Sequence, residues 1–379
     1  MKIAYFTESL LPHVDGVSRT LAQLFSTLEE RGMDFRVFSP FSPGDEVAWG
    51  GRVRAMRYVR FPLYPDYRIS LPIGHGIARQ LDDYRPDLIH VVSPTPMARW
   101  AIRYAKSRGV PVVASFHTHF VSYLRYYGFP SLERFGWWAL RRFYRACARI
   151  YVPSRNMMRE LESHGIGRLQ LWSRGIDAER FGLRFRDEAL RARLGADARH
   201  PIVLLVSRLV KEKDLTDLVE MDELLRARGA RYRLVLVGEG PMRAELEAAL
   251  PGAHFAGHQS GEALARWYAS ADLFVFPSTT ETFGNVVLEA LASGLPVVVV
   301  DRGGPPDQIA PGANGLIVRA NHPESLADGV QHLLANPRER ERMGHAAAEG
   351  ARRRSWSAIN GELLESYAEV VRLHPRTDS

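Results

Sequence analysis

The sequence predicts an α/β protein made of two Rossmann-like domains, and two observations support this fold class. Short β-branched segments alternate with amphipathic segments of helical spacing from the first residues to the last. The chain has 379 residues, which is enough for two hydrophobic cores. Because strands separated by roughly ten to fifteen helical residues form parallel sheets, each domain is expected to be a parallel sheet covered by helices.

The first domain is predicted to span residues 1–180. It opens with the strand Lys2–Phe6, followed by a helix whose apolar side chains recur at helical spacing from Val17 to Leu28 and which ends at Gly32. Further strands are predicted where short β-branched segments precede turn or helix signals: Phe35–Phe38, Leu88–Val92, Pro111–Phe116 and Arg149–Val152.

The second domain is predicted to span residues 181–355, because a polar, arginine-rich stretch at 182–200 separates two runs of the same alternation. Its strands are predicted at Ile202–Val206, Leu234–Val237, Leu273–Phe276 and Val297–Val300. Residues 356–379 contain one last amphipathic helix. The pattern allows this helix to pack on the second domain or to cross back to the first.

Composition and charge indicate the compartment and the class of partner. The single cysteine, Cys147, excludes an internal disulfide. The N-terminus lacks the apolar core of a signal peptide, and no apolar run approaches the roughly eighteen residues of a membrane span, so a cytoplasmic protein is expected.

Residues 1–180 carry 26 Lys and Arg against 16 Asp and Glu, whereas the remainder carries 24 against 27. The first domain should therefore attract nucleic acid, anionic lipid or phosphorylated substrates, unless its arginines only form a solvated surface.

The loops that follow the first strand of each domain are candidate ligand sites, because ligands bind beyond the carboxyl ends of strands in open parallel sheets. In the first domain, Asp15 and Gly16 precede a helix whose N–H groups favour an anion. In the second, Arg208 and Lys213 lie five residues apart in VSRLVKEKD, before a helix that Asp214 is expected to open. Two cations on one loop can clamp a diphosphate, and the scarcity of lysine in this chain favours that role over unpaired surface charge.

A glycine-containing loop, LVLVGEGPM, follows a later strand of the second domain. Gly238 and Gly240 fit the start of a dinucleotide fingerprint, but Arg243 stands where the third glycine belongs. The chain also lacks the G-x-x-x-x-G-K-[ST] motif. The loop is therefore weak evidence for nicotinamide or ATP chemistry.

Two glutamates interrupt an otherwise apolar segment, FPSTTETFGNVVLEALASG. The pattern predicts a strand that ends at Pro277, a loop that carries Glu281, and a helix from Gly284 to Ser293 that carries Glu289. Both carboxylates can then face a ligand at the helix N-terminus. An ionised carboxylate accepts hydrogen bonds from two neighbouring hydroxyls, as sugars and ribose present them. The segment therefore predicts a polyol or anion site. The alternative is that the two glutamates are surface residues without a ligand, stabilised by the helix dipole.

These segments resemble, in the same order, the motifs of the retaining glycosyltransferases of family 4. The segment ETFGNVVLE is similar to the family's E-x7-E motif, and SRLVKEK, VGEGP, ADLFVFPS, EALASGLPVV and GGPPDQI match its surroundings. The segments SFHTHFVSYLRYYG, WSRGID and TETFGNVVLEALASG look most like bacterial α-mannosyltransferases that use GDP-mannose to build glycolipids, and secondarily like sulfoquinovosyltransferases. Arg174 in WSRGID departs from the commoner family residue, and its role stays open.

The resemblance implies a GT-B fold, with the nucleotide-sugar donor on the second domain and the acceptor on the first. It assigns residues to the diphosphate (Gly16, Arg208, Lys213, Gly284 and Asn285), to the ribose (Glu289), to the transferred sugar (Glu281, Thr282, Phe283 and His117) and to the base region (Gly238, Glu239, Gly240, Gly257 and His258).

The chemistry implied by the resemblance needs no metal cofactor. Arg208 and Lys213 neutralise the leaving diphosphate, Glu281 and His117 contact the sugar, and these four are the expected catalytic residues. The acceptor attacks on the face from which the diphosphate departs, and the diphosphate takes the proton. No carboxylate cluster with metal-ligand spacing occurs, and the two histidines of HTH lack a third ligand.

The acceptor is expected to be lipid-linked, because aromatic and basic residues interleave over residues 120–151 and suit a lipid headgroup interface. The candidate acceptor or membrane contacts are Tyr64, Arg68, His119, Tyr123, Arg125 and Tyr126. His119 is expected to point the same way as His117 by strand alternation. The alternatives are ordinary helix packing and, less favoured, single-stranded nucleic acid.

The sequence therefore predicts a retaining hexosyltransferase that moves mannose from GDP-mannose to a lipid-linked or glycolipid acceptor. Peripheral contact with an anionic membrane, on the cytoplasmic face, is expected, and nucleic acid is not. The alternatives are a UDP-sugar donor of glucosyl or sulfoquinovosyl type, a sugar-nucleotide epimerase, or a nucleotide-sugar-binding module without activity.

Overall fold

The computed structural model describes residues 1–61, 64–73, 76–119, 121, 130–177 and 179–374. Within them the chain forms two compact units. The first comprises Met1–Val121, Pro130–Arg174 and the C-terminal segment from Trp356, and the second comprises Gly175–Ser355.

The first unit contains a parallel sheet of seven strands in the order β3-β2-β1-β6-β7-β8-β9, and an antiparallel β4-β5 hairpin. The strands are β1 (Lys2–Phe6), β2 (Asp34–Ser39), β3 (Val53–Ala55), β4 (Tyr58–Phe61), β5 (Tyr64–Ser70), β6 (Leu88–Val91), β7 (Val112–Ser115), β8 (Arg149–Val152) and β9 (Leu169–Leu171). The α-helices are α1 (Gly16–Glu30), α2 (Ile77–Tyr84), α3 (Pro96–Ser107), α4 (Glu133–Tyr144), α5 (Arg155–Ser163) and the C-terminal helix (Trp356–Leu373), with 3₁₀ turns at Gly44–Glu46, Gly50–Arg52 and Pro130–Leu132.

The C-terminal helix packs into the core of the first unit. Its buried apolar side chains Leu363, Tyr367 and Val370 join the cluster that contains the side chains of β1 and α1. The Tyr367 hydroxyl lies 2.6 Å from His90 Nδ1, and His90 Nε2 lies 2.6 Å from Ser115 Oγ. His90 therefore connects β6, β7 and the C-terminal helix.

The second unit contains a parallel sheet of six strands in the order β12-β11-β10-β13-β14-β15. The strands are β10 (Ile202–Val206), β11 (Arg233–Val237), β12 (His254–Gly257), β13 (Leu273–Phe276), β14 (Val297–Val300) and β15 (Gly315–Val318). The helices are α6 (Glu188–Arg193), α7 (Leu215–Ala227), α8 (Arg243–Ala249), α9 (Gly261–Ser270), α10 (Asn285–Ala292), α11 (Pro323–Ala335) and α12 (Pro337–Arg352), with 3₁₀ turns at Leu183–Phe185, Lys211–Lys213 and Pro305–Gln308.

Each sheet has a point where the strand order reverses, and this point positions the candidate sites. The chain turns back between β1 and β6 in the first unit and between β10 and β13 in the second. Loops at the carboxyl ends of these neighbouring strands diverge to opposite faces and leave a crevice, which is where ligands bind in open α/β sheets.

The predicted α/β fold class is confirmed, and all nine predicted strands are present within one residue at either end. The strands that the prediction missed are the short ones at the sheet edges and the hairpin: β3, β4, β5, β9, β12 and β15. The central strands are apolar on both faces because helices cover them, whereas edge strands such as β9 are partly exposed and lack a continuous apolar run.

The buried His90 makes the stability of the first unit depend on pH. Burial lowers the pKa of His90 to about 3, so the folded chain keeps this ring neutral while the unfolded chain protonates it below about pH 6.5. Stability contributed by His90 is therefore lost as the pH falls below 6.5. We expect the difference in unfolding free energy between wild type and His90→Gln to shrink by about 2 kcal/mol from pH 7 to pH 5 in urea titrations. A constant difference would contradict a neutral His90.

Candidate active site

The loops after β10 and β13 in the second unit bring together two of the predicted catalytic residues. Lys213 Nζ forms an ion pair with Glu281 Oε1, and the side chains of these residues are 8% and 27% exposed. Arg208 is different: its side chain is 55% exposed, and Nη2 donates to Glu212 Oε1 over 3.4 Å. The loop thus presents one exposed guanidinium and one buried ammonium that a carboxylate already neutralises.

The β10 loop is tied to the β13 loop by side-chain hydrogen bonds. Asp214, at a positive φ of 53°, accepts from both the backbone N–H and the hydroxyl of Thr279 at 2.8 Å. The Glu212 carbonyl accepts from Thr280 Oγ1 at 2.7 Å. Asp214 therefore stands at the N-cap position of α7, which begins at Leu215, but its side chain binds the neighbouring loop instead of capping the helix.

Helix α10 carries the second glutamate of the motif. It runs from Asn285 to Ala292, shorter than the predicted Gly284 to Ser293, because Gly284 adopts a left-handed φ of 84° as the N-terminal cap. Glu289 is buried, and its Oε2 accepts from the hydroxyl of Tyr268, on α9, at 2.9 Å. Tyr268, which orients this carboxylate, carries no signal in the sequence pattern.

A glycine turn before Pro305 supports the loop that carries Glu281. The backbone N–H of Gly304 donates to the Glu281 carbonyl at 2.7 Å, and a Cβ on Gly304 would lie 2.1 Å from Thr282 O. Gln308 Nε2 donates to the carbonyls of Phe283 and Gly284. These contacts hold the predicted sugar-binding residues Glu281, Thr282 and Phe283 in one backbone arrangement.

Two of the three glycines of the predicted base region, Gly238 and Gly240, serve the packing of loops. Gly238 has a φ of 141°, and a Cβ there would lie 1.8 Å from Ser207 O, while a Cβ on Gly240 would lie 2.3 Å from Leu209 O. Glu239 pairs with Arg243, the residue that breaks the dinucleotide fingerprint. Gly257 has a positive φ and His258 is exposed, and contact of this region with a base stays a prediction.

In the first unit, Gly16 opens α1, and the preceding Asp15 caps the helix. The Asp15 carboxylate accepts from the backbone N–H groups of Val17 and Ser18 at 2.8 and 2.7 Å. At the carboxyl end of β1, Glu8 is buried, and burial raises its pKa to about 7. Glu8 was not among the predicted site residues, although it follows β1 at the point where the strand order reverses.

His117 follows β7 and contacts a residue whose role the sequence left open. Its Nδ1 lies 2.8 Å from Arg174 Nη2, and its ring packs edge-on against Trp172. Burial and the positive charge of Arg174 hold the pKa of His117 well below its usual value of about 6.5. His117 is therefore a neutral imidazole.

His119 has different partners from His117, so the expectation that both point the same way is not met. Its Nε2 lies 2.6 Å from Glu160 Oε1, and its ring packs against Phe116 and Trp137. Strand β7 ends at Ser115, and strand alternation does not extend to residues 117 and 119.

The other predicted acceptor contacts are only partly described. The guanidinium of Arg68 lies over the rings of Phe41 and Tyr58, at 4.4 and 4.5 Å from their centroids. Tyr64 begins β5, and nothing further is described of its side chain. Tyr123, Arg125 and Tyr126 lie outside the described residues. Within the described ranges, no cluster of three or more possible metal ligands occurs, and no helix is long and apolar enough to cross a membrane.

Comparison with known proteins covers nearly the whole chain. The family model described as Glycosyltransferase Family 4 matches residues 14–180, and that described as Glycosyl transferases group 1 matches residues 186–350. A GDP-mannose-dependent alpha-mannosyltransferase from Mycobacterium tuberculosis is 38% identical over 376 residues, covering 98% of this chain and 97% of the relative. The chain belongs to glycosyltransferase family 4.

Further similarities agree with this membership. Sulfoquinovosyl transferase SQD2 from Arabidopsis thaliana is 34% identical over 382 residues, covering 98% of this chain and 74% of the relative. Among solved structures, sucrose-phosphate synthase from Thermosynechococcus elongatus has the same fold, with a TM-score of 0.78 at 22% identity, covering 98% of this chain and 99% of that one. The resemblance drawn from the motifs and the GT-B fold class are thus confirmed, and the chain is a glycosyltransferase.

The glycine turn gives a direct test of how the Glu281 loop is held. Gly304→Ala places a methyl group against Thr282 O and Phe283 Cα, so we expect it to cost on the order of 1–3 kcal/mol of unfolding free energy and to weaken sugar-nucleotide binding. Gly350→Ala is the matched control, because its Cβ meets nothing within 4 Å and alanine favours helix α12. Equal stability of the two variants, measured by urea unfolding, would show that the turn tolerates a side chain.

Proposed function

We propose that this glycosyltransferase moves mannose from GDP-mannose, with retention of configuration, to a lipid-linked or glycolipid acceptor. The observation that carries the proposal is the pairing of Lys213 with Glu281 across two neighbouring loops, with the buried Glu289 on the helix that follows the second loop. This site offers positive charge for a diphosphate and separate carboxylates for two sets of sugar hydroxyls.

The proposed chemistry begins with the leaving group. As the bond between the sugar and the diphosphate breaks, negative charge grows on the diphosphate, and Arg208, Lys213 and the N-terminus of α10, with Asn285, stabilise it. The cations supply this stabilisation without a metal cofactor. Donor binding competes with Glu281 for Lys213, because these side chains are paired in the structure.

The remaining roles follow the family assignment. Glu281, with Thr282 and Phe283, binds the transferred sugar, and Glu289 binds the ribose, with its carboxylate oriented by Tyr268. His117 contacts the sugar and Gly16 the diphosphate. The acceptor hydroxyl attacks on the face from which the diphosphate leaves, and the diphosphate takes its proton.

The donor assignment is supported by the mannosyltransferase named above, and the main alternative by the plant sulfoquinovosyl transferase. An epimerase would convert the donor without any acceptor. A binding module without activity is disfavoured, because Arg208, Lys213, Glu281 and Glu289 are all present.

Replacing the first glutamate separates sugar recognition from nucleotide binding. Glu281→Gln should lower mannosyl transfer to a glycolipid extract by about 100-fold or more, because it removes a charge that acts on the sugar in the transition state. Binding of GDP should stay equal or become tighter, since Lys213 loses a competing carboxylate.

Glu262→Gln, an exposed change on α9, is the control. Mass spectrometry of the lipid and calorimetry with GDP give the two readouts. An equal loss of GDP affinity would place Glu281 elsewhere, and no transfer from any sugar nucleotide by wild type would refute the proposed activity.

Peripheral binding to an anionic membrane is the second part of the proposal, and a groove between α3 and α4 supports it. The groove has a volume of about 700 Å³, and no carboxylate lines it. Its cationic side chains, none of which forms an ion pair with a described residue, are Arg99, Arg103, Lys106, Arg141, Arg142 and Arg145. Trp138 at its edge is 51% exposed and stacks on Phe135, which is 64% exposed. Cations beside exposed aromatic rings suit lipid phosphates and the headgroup layer.

Charge reversal in the groove tests the membrane contact. Each basic residue near an anionic bilayer contributes about 1 kcal/mol, so Arg103→Glu should weaken binding to phosphatidylglycerol vesicles by about tenfold or more and reduce its salt dependence. Arg353→Glu, an exposed arginine of the second unit, changes the net charge equally and should have little effect. Flotation with neutral phosphatidylcholine vesicles gives the baseline. Equal effects of the two variants, or preferential binding of single-stranded DNA, would reject the groove as a membrane contact.

A further inference from the structure

Arg174 is a buried guanidinium held by three acceptors. Its side chain is 4% exposed, and Nη1 donates to the carbonyls of Trp172 at 2.7 Å and Ser173 at 3.2 Å. Nη2 lies 2.8 Å from His117 Nδ1, and the guanidinium carbon lies 5.0 Å from the centre of the Trp172 ring. The two carbonyls and the ring fix the guanidinium, so the direction of Nη2 toward His117 is also fixed.

The contact between Arg174 and His117 determines where the imidazole carries its proton. A guanidinium has only N–H donors and no acceptor, and it stays charged at neutral pH even though burial lowers the pKa of Arg174 to about 9. His117 Nδ1 must therefore accept. A neutral imidazole with an accepting Nδ1 carries its hydrogen on Nε2. A protonated ring would instead direct its Nδ1–H against an N–H of Arg174.

We propose that Arg174 is a positioning residue that holds His117 as the neutral tautomer with its proton on Nε2, so that His117 acts on the sugar only as a hydrogen-bond donor. The part of this inference that concerns the sugar rests on the proposed function. His117 is then not a general base, because Nδ1 is engaged by Arg174 and Nε2 is protonated. An N–H at Nε2 suits a sugar oxygen.

The same arrangement keeps positive charge off the ring nearest the sugar. The sugar becomes cationic as its bond to the diphosphate breaks, and an imidazolium at that position would oppose this change. Among the described residues, the titratable groups that lower the pKa of His117 are Arg174 and His90, and burial keeps His90 neutral. The charge therefore resides on Arg174, on the Nδ1 side of the ring.

The tautomer can be observed without any substrate. Nitrogen-15 NMR of histidine-labelled protein distinguishes bare from protonated ring nitrogens, and the signals of His117 are those missing from His117→Gln. We expect a bare Nδ1 and a protonated Nε2 that do not change between pH 5.5 and pH 8. A protonated Nδ1, or titration near the ordinary histidine pKa of about 6.5, would overturn the inference.

Two substitutions at Arg174 separate positioning from packing. Arg174→Met should lower kcat on the order of 10- to 100-fold with little change in the KM of the donor, and should add an acid limb to the pH profile as His117 becomes able to titrate. Arg174→Lys keeps a charged N–H donor on a side chain one bond shorter and should retain more activity than Arg174→Met. If Arg174→Met changes only the melting temperature, or if Lys and Met behave alike in kcat and in the NMR spectrum, the role is structural and the proposal fails.

Substitutions at His117 provide the complementary test. Glutamine places an amide N–H near the position of Nε2 and should retain more activity than asparagine, whose amide lies near Nδ1. Arg174→Met combined with His117→Asn should be no slower than His117→Asn alone, and additive losses would contradict the proposed coupling.

Arg149→Met is the control for losing a half-buried arginine of the same unit, and it should leave the His117 spectrum and kcat unchanged. If the wild-type protein shows the expected tautomer but transfers no sugar, the proposed function is refuted. The proposed action of His117 on the sugar then fails as well.

Discussion

The reversal of strand order between β10 and β13 is the constraint on which the second unit depends. It places the end of one buried strand beside the end of another that lies 70 residues further along the chain. Asp214 and Glu212 then have loop residues 279 and 280 as partners, and Lys213 has Glu281. Without that adjacency, the cations and carboxylates of the motif would lie far apart, because they belong to different loops. The hydrogen bonds across the two loops are as important to the site as the charges themselves.

The electrostatic design of this site differs between its two cations. Arg208 is exposed and can attract an anion before contact, whereas Lys213 is buried and already compensated by Glu281. A buried ammonium without a partner would destabilise the folded chain, so the glutamate stabilises the site when no donor is bound. Under the proposed function, a diphosphate takes over the role of that carboxylate, which leaves Glu281 able to turn toward sugar hydroxyls. One carboxylate can in this way serve stability before binding and recognition afterwards.

Much of the fold could be predicted from the sequence, and the reason is the burial of the central strands. Segments such as Ile202–Val206 are apolar on both faces and stand out, whereas Leu169–Leu171 is short and partly exposed. In the candidate site, Arg208, Lys213, Glu281 and Glu289 were found from their place after strands and from the order of motifs. Tyr268 and Gly304 were not found, and the role of Arg174 stayed open, because these roles arise from contacts with residues 21, 22 and 57 positions away. Such pairings leave no local pattern, and only the assembled sheet shows them.

The C-terminal helix has a consequence for how the chain is made. Its side chains Leu363 and Tyr367 complete the core that contains β1, and Asn360 donates to Thr27 Oγ1 on α1. On the ribosome, the first unit therefore begins first but cannot close its core until residues from the far end of the chain have emerged. Within the described residues, the strands and helices of the second unit lie in one continuous segment, Gly175–Ser355, which can fold before the first unit is complete. Domains usually complete their folding in the order of synthesis, and here that order is inverted.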